Sequence, residues 1–141
     1  MIDHNAIAEL IPHSGKMSLL DLVLSYDAQS MVCTSSSHLD VDNPLRKPRG
    51  LSAIHGIEYA AQAMALHGAL SGASRPTSYL AAVRDVELLR DWLHDVVGPL
   101  RIDVSLLARH DTAATYAFSV EAQGSVAVRG RLTCAFVAGN Q

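Results

Sequence analysis

Gly50-Leu51-Ser52-Ala53-Ile54-His55-Gly56-Ile57-Glu58-Tyr59-Ala60-Ala61-Gln62-Ala63-Met64-Ala65-Leu66-His67-Gly68 is the stretch on which the fold turns. It is the longest run of good helix formers in the chain, and Ala, Leu and Met lose little conformational freedom in a helix. Its polar side chains include His55, Glu58, Gln62 and His67, with no Lys, Arg or Asp, so apolar or small residues go all the way round. Such a helix is expected to be buried on every side. With under about 20 residues and a carboxylate in its first turns, it is short for a membrane span. A carboxylate inside such a helix is costly unless it is paired, protonated or facing a cavity, which makes Glu58 a candidate for chemistry.

Upstream, Asp3 to Ile11 reads as a short helix with Asp3 as N-cap and Ala6, Ile7, Leu10 and Ile11 on one face. Pro12-His13-Ser14-Gly15 is expected to break it. Leu20, Leu22, Leu24 and Tyr26 alternate as a first strand, and Met31 to Ser37 follows as a weaker second. Asp40 to Gly50, with two prolines and three basic residues, reads as a loop, and the helix is expected over Ser52 to Leu70. Gly68, Gly72 and Pro76 mark its decline and end.

Downstream of Thr77 the pattern is sheet. Tyr79 to Leu89 reads as a strand, although Val86-Glu87-Leu88-Leu89 also suits a helix. Ile102, Val104 and Leu106 share one strand face, as do Tyr116, Phe118 and Val120. Gln123-Gly124 makes a tight turn into a last strand carrying Leu132, Cys134 and Phe136 on one face. Strands with one apolar and one mixed face belong to an antiparallel sheet buried on one side. One long apolar helix among such strands gives an α+β fold in which the sheet wraps the helix.

The 141 residues are expected to form a single domain, 1–141, with a core of Leu, Val and Ala, since aromatics are only 5% and hydrophobic residues 49%. A formal charge of −3, with no basic run longer than Arg46-Lys47-Pro48-Arg49, argues against nucleic acid as a partner. Cys33 and Cys134 lack metal or redox spacing and read as inert buried thiols. Met1 to Glu9 has no basic-then-apolar pattern, so no signal peptide is expected and a cytoplasmic location is the default. His4, His13, His38, His94 and His110 are scattered without ligand spacing, and no metal site is expected. No Gly-x-Ser-x-Gly or phosphate-loop pattern occurs, which disfavours serine hydrolase and nucleotide-binding functions.

Leu10-Ile11-Pro12-His13, then Met17, Leu19-Leu20-Asp21 and Val23-Leu24, resemble the opening of the hotdog-fold 3-hydroxyacyl-acyl-carrier-protein dehydratases. Gly56-Ile57-Glu58-Tyr59-Ala60-Ala61-Gln62-Ala63 is similar to their central-helix motif. Taken with Asp42-Asn43-Pro44, that motif resembles most the dehydratase-like branch associated with aryl-polyene-type lipid pathways. The resemblance implies a hotdog fold, an antiparallel sheet around one long central helix. It also implies removal of water from 3-hydroxyacyl thioesters on acyl-carrier protein, or on coenzyme A, to give trans-2-enoyl thioesters in fatty-acid or aryl-polyene-type lipid synthesis. No cofactor is implied. The family's carboxylate falls on Glu58 and its helix glutamine on Gln62, placed to hold a neighbouring strand or the carboxylate itself. The loop histidine of typical members falls at Asn43-Pro44, and neither residue is a general base.

Such a dehydration needs a base for the α-proton, an acid for the leaving hydroxyl and a donor for charge on the thioester oxygen. A helix start offers the third through free N–H groups and the dipole. Gly56, with no Cβ, is expected to let an acyl group approach the backbone beside Ile57. A buried carboxyl holds its proton tightly, which suits Glu58 as the acid. His55 stands three residues earlier on the same helix face and is the candidate base, the alternatives being a loop carbonyl bond or a contact with a second subunit. Asn43 is a candidate for binding substrate or orienting a water. His67, more than about 15 Å along the helix, is expected to be structural.

An open strand edge beside the helix start is usually covered by a two-fold mate, so a homodimer or higher homo-oligomer is expected, with no membrane span. Arg46, Lys47 and Arg49 would suit an acidic carrier protein and its phosphopantetheine arm, or form a plain solvated loop. Two other functions stay open. One is a hotdog acyl thioesterase in which Glu58 activates water. The other is a catalytically weak subunit that binds acyl-carrier protein or forms a heteromer with an active hotdog chain.

Overall fold

The computed structural model describes residues 2–11, 17–71 and 78–136. In chain order these form β1 (Ile2–Asp3), α1 (His4–Leu10), β2 (Leu22–Tyr26) and β3 (Ser30–Ser35). Two 3-10 turns follow, Ser37–Leu39 and Ala53–His55, the second running into α2 (Gly56–Ser71). The chain then makes β4 (Ser78–Leu88), β5 (Leu100–Arg109), β6 (Ala113–Ala122) and β7 (Ser125–Phe136). Among the described residues the strands join in one antiparallel sheet of order β1-β2-β3-β5-β6-β7-β4, and α2 lies against β3, β5, β6 and β7. This is the hotdog arrangement. The expected break at Pro12 to Gly15 and the helix-end markers Gly72 and Pro76 lie outside the described residues.

Local chemistry accounts for the elements. Asp3 caps α1, its carboxylate accepting the Ala6 N–H at 3.0 Å. β6 alternates without interruption, putting Tyr116, Phe118 and Val120 into the core, as the sequence pattern predicts. Gln123 and Gly124 both take positive φ, 54° and 80°, the twist a two-residue hairpin turn requires between right-twisted strands. Cys33 and Cys134 are buried and free, as read from the sequence.

Two expectations are corrected. In β2 the alternation places Leu24 and Tyr26 inward, yet Val23 is buried at 1% exposure while Leu24 and Tyr26 are 44% and 47% exposed. A bulge between Val23 and Ser25 adds a residue and reverses the facing of what precedes it. The second correction concerns α2. Tyr59, Ala60, Gln62, Ala63, Met64, Leu66 and His67 are buried, but Ile57, Glu58, Ala61 and Ala65 are only half-buried. The sheet covers most of the helix and leaves one face partly open.

Gly56 is where α2 presses hardest on the sheet. A Cβ there would stand 2.5 Å from Val128 Cγ1 and 3.5 Å from Val120 Cγ2, so only glycine allows this approach to β6 and β7. At the sheet's edge, β4 is bulged between Arg84 and Glu87, with Asp85 at φ 55° and Val86 packed toward the core. Gly130 of β7 accommodates the bulge: a Cβ there would lie 3.0 Å from the Arg84 carbonyl oxygen and 3.1 Å from the Phe118 ring.

Gly56→Ala should lower stability by about 1–3 kcal/mol in urea unfolding, because the added methyl overpacks the contact with Val128. In a Val128→Ala background the same change should become neutral or stabilising, as the helix preference of Ala over Gly emerges. Alkaline pH provides a second check. Burial pushes the Cys33 thiol from its ordinary 9.0 up to about 12, and the Tyr116 phenol from 10.0 up to about 12. Both groups ionise more readily when unfolded, so their contribution is intact below about pH 9 and should fall away as pH rises toward 12. Cys33→Ala should flatten the lower part of that decline, read from urea midpoints between pH 8 and 11.

Candidate functional site

The first turn of α2 and the loops around it gather the site residues foreseen from the sequence. Glu58 is half-buried in that turn and lies on the face the sheet leaves partly open, with Ile57, Ala61 and Ala65. His55, the last residue of the 3-10 turn, is half-buried three positions earlier. Ile57 is half-buried and packs on the core.

The N–H groups that lead into the helix are paired. The Ala53 N–H donates to the Asp91 carbonyl at 2.9 Å, and that of His55 to the Ser52 carbonyl at 3.1 Å. Ile54 N–H donates to Ser52 Oγ at 3.3 Å and Gly56 N–H to the carbonyls of Ala53 and Ile54. The 3-10 lead-in consumes these groups because its shorter bonds reach N–H groups that an abrupt α-helical start leaves unpaired. Gly56 is therefore glycine for packing against Val128; its expected role of admitting an acyl group to the backbone finds no free N–H at that residue. The positive end of the helix dipole also lies at this turn.

Gln62 is fully buried. Its Oε1 accepts the Leu19 N–H at 3.0 Å and its Nε2 donates to the Met17 carbonyl at 2.6 Å. It holds the segment leading into β2.

Asn43 is also turned inward, with 4% exposure. Its Nδ2 donates to the Ser37 carbonyl at 2.9 Å and to Tyr59 Oη at 3.1 Å, while its Oδ1 accepts the Leu45 N–H at 2.9 Å. Both amide hydrogens are committed within the chain, so the expected contact of Asn43 with substrate or water gives way to a loop-folding role. Tyr59 Oη meets Ser37 Oγ at 2.8 Å, and Ser37 Oγ donates to the Leu19 carbonyl at 2.9 Å, which Ser35 Oγ also reaches. Ser37 has one proton, used on Leu19 or on Ser35 Oγ at 2.8 Å, so the Tyr59 phenol donates to Ser37 and accepts from Asn43. Burial pushes this phenol's pKa up, in keeping with its role as a donor.

The remaining histidines have other tasks. His67 Nε2 donates to the Asp27 carbonyl at 2.8 Å, leaving Nδ1 to accept from the Tyr116 hydroxyl at 2.7 Å, the structural part expected of it. His38 is fully buried; its Nε2 donates to the Val96 carbonyl at 3.1 Å, and its Nδ1 has no partner. Desolvation pushes its pKa down and keeps the ring neutral. His94 Nδ1 accepts the Leu51 N–H at 3.0 Å, and its ring fills the space a Cβ on Gly50 (φ 126°) would need. Arg49 lies over Trp92 at 6.0 Å; of its basic neighbours in sequence, Arg46 is half-buried and Lys47 exposed.

Sequence reasoning passed over Tyr59, Ser37 and His38. A signal existed for the first: a buried tyrosine hydroxyl needs a partner, and Tyr59 lies in a helix read as buried on every side. Among the described residues no group of three or more His, Cys, Asp or Glu is placed to hold a metal, and no helix is long and apolar enough to cross a membrane.

Comparison with known proteins agrees with the fold. The family model ApeP-like, described as ApeP dehydratase, matches residues 5–138. A chain of the dehydratase heterocomplex ApeI:P from Xenorhabdus doucetiae is similar at TM-score 0.81 and 21% identity, over 94% of this chain and 91% of that one. The thioesterase HI1161 from Haemophilus influenzae follows at 0.71 and 14%, over 97% and 92%. AziG from S. sahachiroi is similar at 0.66 and 17%, over 92% and 99%. At these identities the structural likenesses establish the fold. No curated protein matches the chain.

Gln62→Ala should leave the Leu19 N–H and the Met17 carbonyl without their partner and cost about 2–4 kcal/mol in urea unfolding. Hydrogen exchange at Leu19 should accelerate more than that of β6 amides; equal acceleration at both would contradict a local clamp.

Proposed function

The chain belongs to the ApeP-like dehydratase family, and on that footing we propose that it removes water from 3-hydroxyacyl thioesters on an acyl-carrier protein, leaving trans-2-enoyl thioesters. The observation that carries this reading is Glu58, the carboxylate in the first turn of α2, on the helix face that the chain's own sheet leaves partly open. A base removes the α-proton, the electron pair forms the double bond, and the C–O bond at the β-carbon breaks as the acid protonates the departing hydroxyl. Glu58 is the acid and His55, three residues earlier at the end of the 3-10 turn, the base. Negative charge growing on the thioester oxygen is met by the positive end of α2. Ile57 lines the approach to Glu58, and Gln62 holds the segment at Met17 and Leu19 beside the same turn.

Oligomeric assembly fits the same reading. β4 is an edge strand, and Tyr79, Leu80, Val83 and Leu88 along it are exposed. A second hotdog chain laid along β4 would pair its open backbone groups and cover the Glu58 face. Arg46, Lys47 and Arg49 would face an acidic carrier and the phosphate of its arm.

A second reading has its own observation. Asn43 occupies the place of the typical loop base and is locked into the chain's interior, which favours a subunit that works beside an active hotdog partner. The similarity to a chain of a dehydratase heterocomplex points the same way.

Mass spectrometry of a 3-hydroxyacyl-carrier protein incubated with wild type, Glu58→Gln and His55→Ala separates these readings. The expected result is loss of one water in wild type, with rates at least about 100-fold lower in both variants. Release of free acid would establish a thioesterase instead. Absent turnover with retained carrier binding would favour the partner subunit.

A further inference from the structure

Three separate segments meet at the phenol oxygen of Tyr59. From the loop before α2 comes Asn43 Nδ2 at 3.1 Å, and from the 3-10 turn after β3 comes Ser37 Oγ at 2.8 Å. Through Ser37, the contact extends to the Leu19 carbonyl on the segment before β2. Each partner is fixed in turn. Asn43 is held by Ser37 and Leu45, and the Leu19 N–H is held by Gln62, one turn along α2. Asn43 donates to Tyr59 and Tyr59 donates on to Ser37, so the phenol has a partner on each side. With a donor on one side and an acceptor on the other, this hydroxyl ties the first turn of α2 to two loops.

We infer that Tyr59 is a positioning residue for the neighbouring carboxylate: its hydroxyl, held between Asn43 and Ser37, fixes the direction in which Glu58 leaves the helix. The inference rests on the reading of Glu58 as the acting group. Loss of the hydroxyl leaves Asn43 with an unsatisfied buried N–H and frees the turn to rotate, and small displacements of a reacting group carry large rate penalties. Tyr116 supplies a matched comparison. It too is a buried tyrosine, bonded through its hydroxyl to α2, but at His67 toward the far end of the helix.

The test compares Tyr59→Phe with Tyr116→Phe in the full chain. Turnover of a 3-hydroxyacyl-carrier protein is measured together with the carboxyl 13C resonance of Glu58, assigned by its disappearance in Glu58→Gln; the chain has four glutamates, which keeps that spectrum simple. Tyr59→Phe should lower kcat by about 10- to 100-fold with KM within about threefold, and should move the Glu58 resonance. Tyr116→Phe should leave both near wild type. Equal losses in the two variants, or an unchanged kcat in Tyr59→Phe, would overturn the inference. If the wild type turns over no hydroxyacyl thioester, the dehydratase reading fails by itself. The resonance then decides the positioning role, an unmoved Glu58 signal in Tyr59→Phe refuting it and a displaced one upholding it. Should Tyr59→Phe not fold, Ser37→Ala removes the acceptor of the same phenol with a smaller loss of packing and is judged on the same two readouts.

Discussion

Every polar side chain on the buried faces of α2 must find its partner inside the protein, and that requirement organises the molecule around the helix. Water is excluded from those faces, and an unpaired donor or acceptor there costs about 1–3 kcal/mol. Gln62 meets the requirement with Met17 and Leu19, Tyr59 with Asn43 and Ser37, and His67 with Asp27 and Tyr116. Each pairing pins a segment distant in sequence onto the helix. The loops that surround the first turn of α2 are thereby placed by hydrogen bonds from the helix itself.

The same requirement decides the part that Asn43 plays. A loop side chain that acts as a base has to face outward, toward substrate. Asn43 faces inward and completes a buried network, so at this position the chain has an element of structure. Glu58 is left on the partly open face, and the N–H groups of the 3-10 turn that leads into the helix beside it are already paired.

Much of the architecture was legible because it rests on periodicity. The apolar run from Leu51 to Leu66, the alternation of Tyr116, Phe118 and Val120, and the Gln123-Gly124 turn each have a single physical solution. What escaped has no periodic signature. The bulge that turns Val23 inward is one added residue in β2, invisible until the partner strand fixes the register. The 3-10 turn at Ala53–His55 depends on Asp91, far along the chain, accepting from Ala53. Glycine at position 56 was legible as a need for closeness, but the partner in that closeness, Val128, is a tertiary fact. Within the site, residue types were readable and their directions were not: Asn43 offers the same groups whether it points outward or inward.

The bulge in β4 carries a consequence for solubility. An exposed, largely apolar edge strand is a template on which further strands can add without limit, the route to fibrous aggregates. Asp85 in a left-handed conformation interrupts that edge, with charged Arg84 and Glu87 on either side of the kink. The run from Ser78 to Val83 is itself shifted in register between Leu80 and Ala82, so the edge is divided into short pieces. A short strand from one mate fits there, whereas a long flat sheet stacking edge to edge does not. Gly130, by making room for the kink, guards the protein against its own stickiest edge.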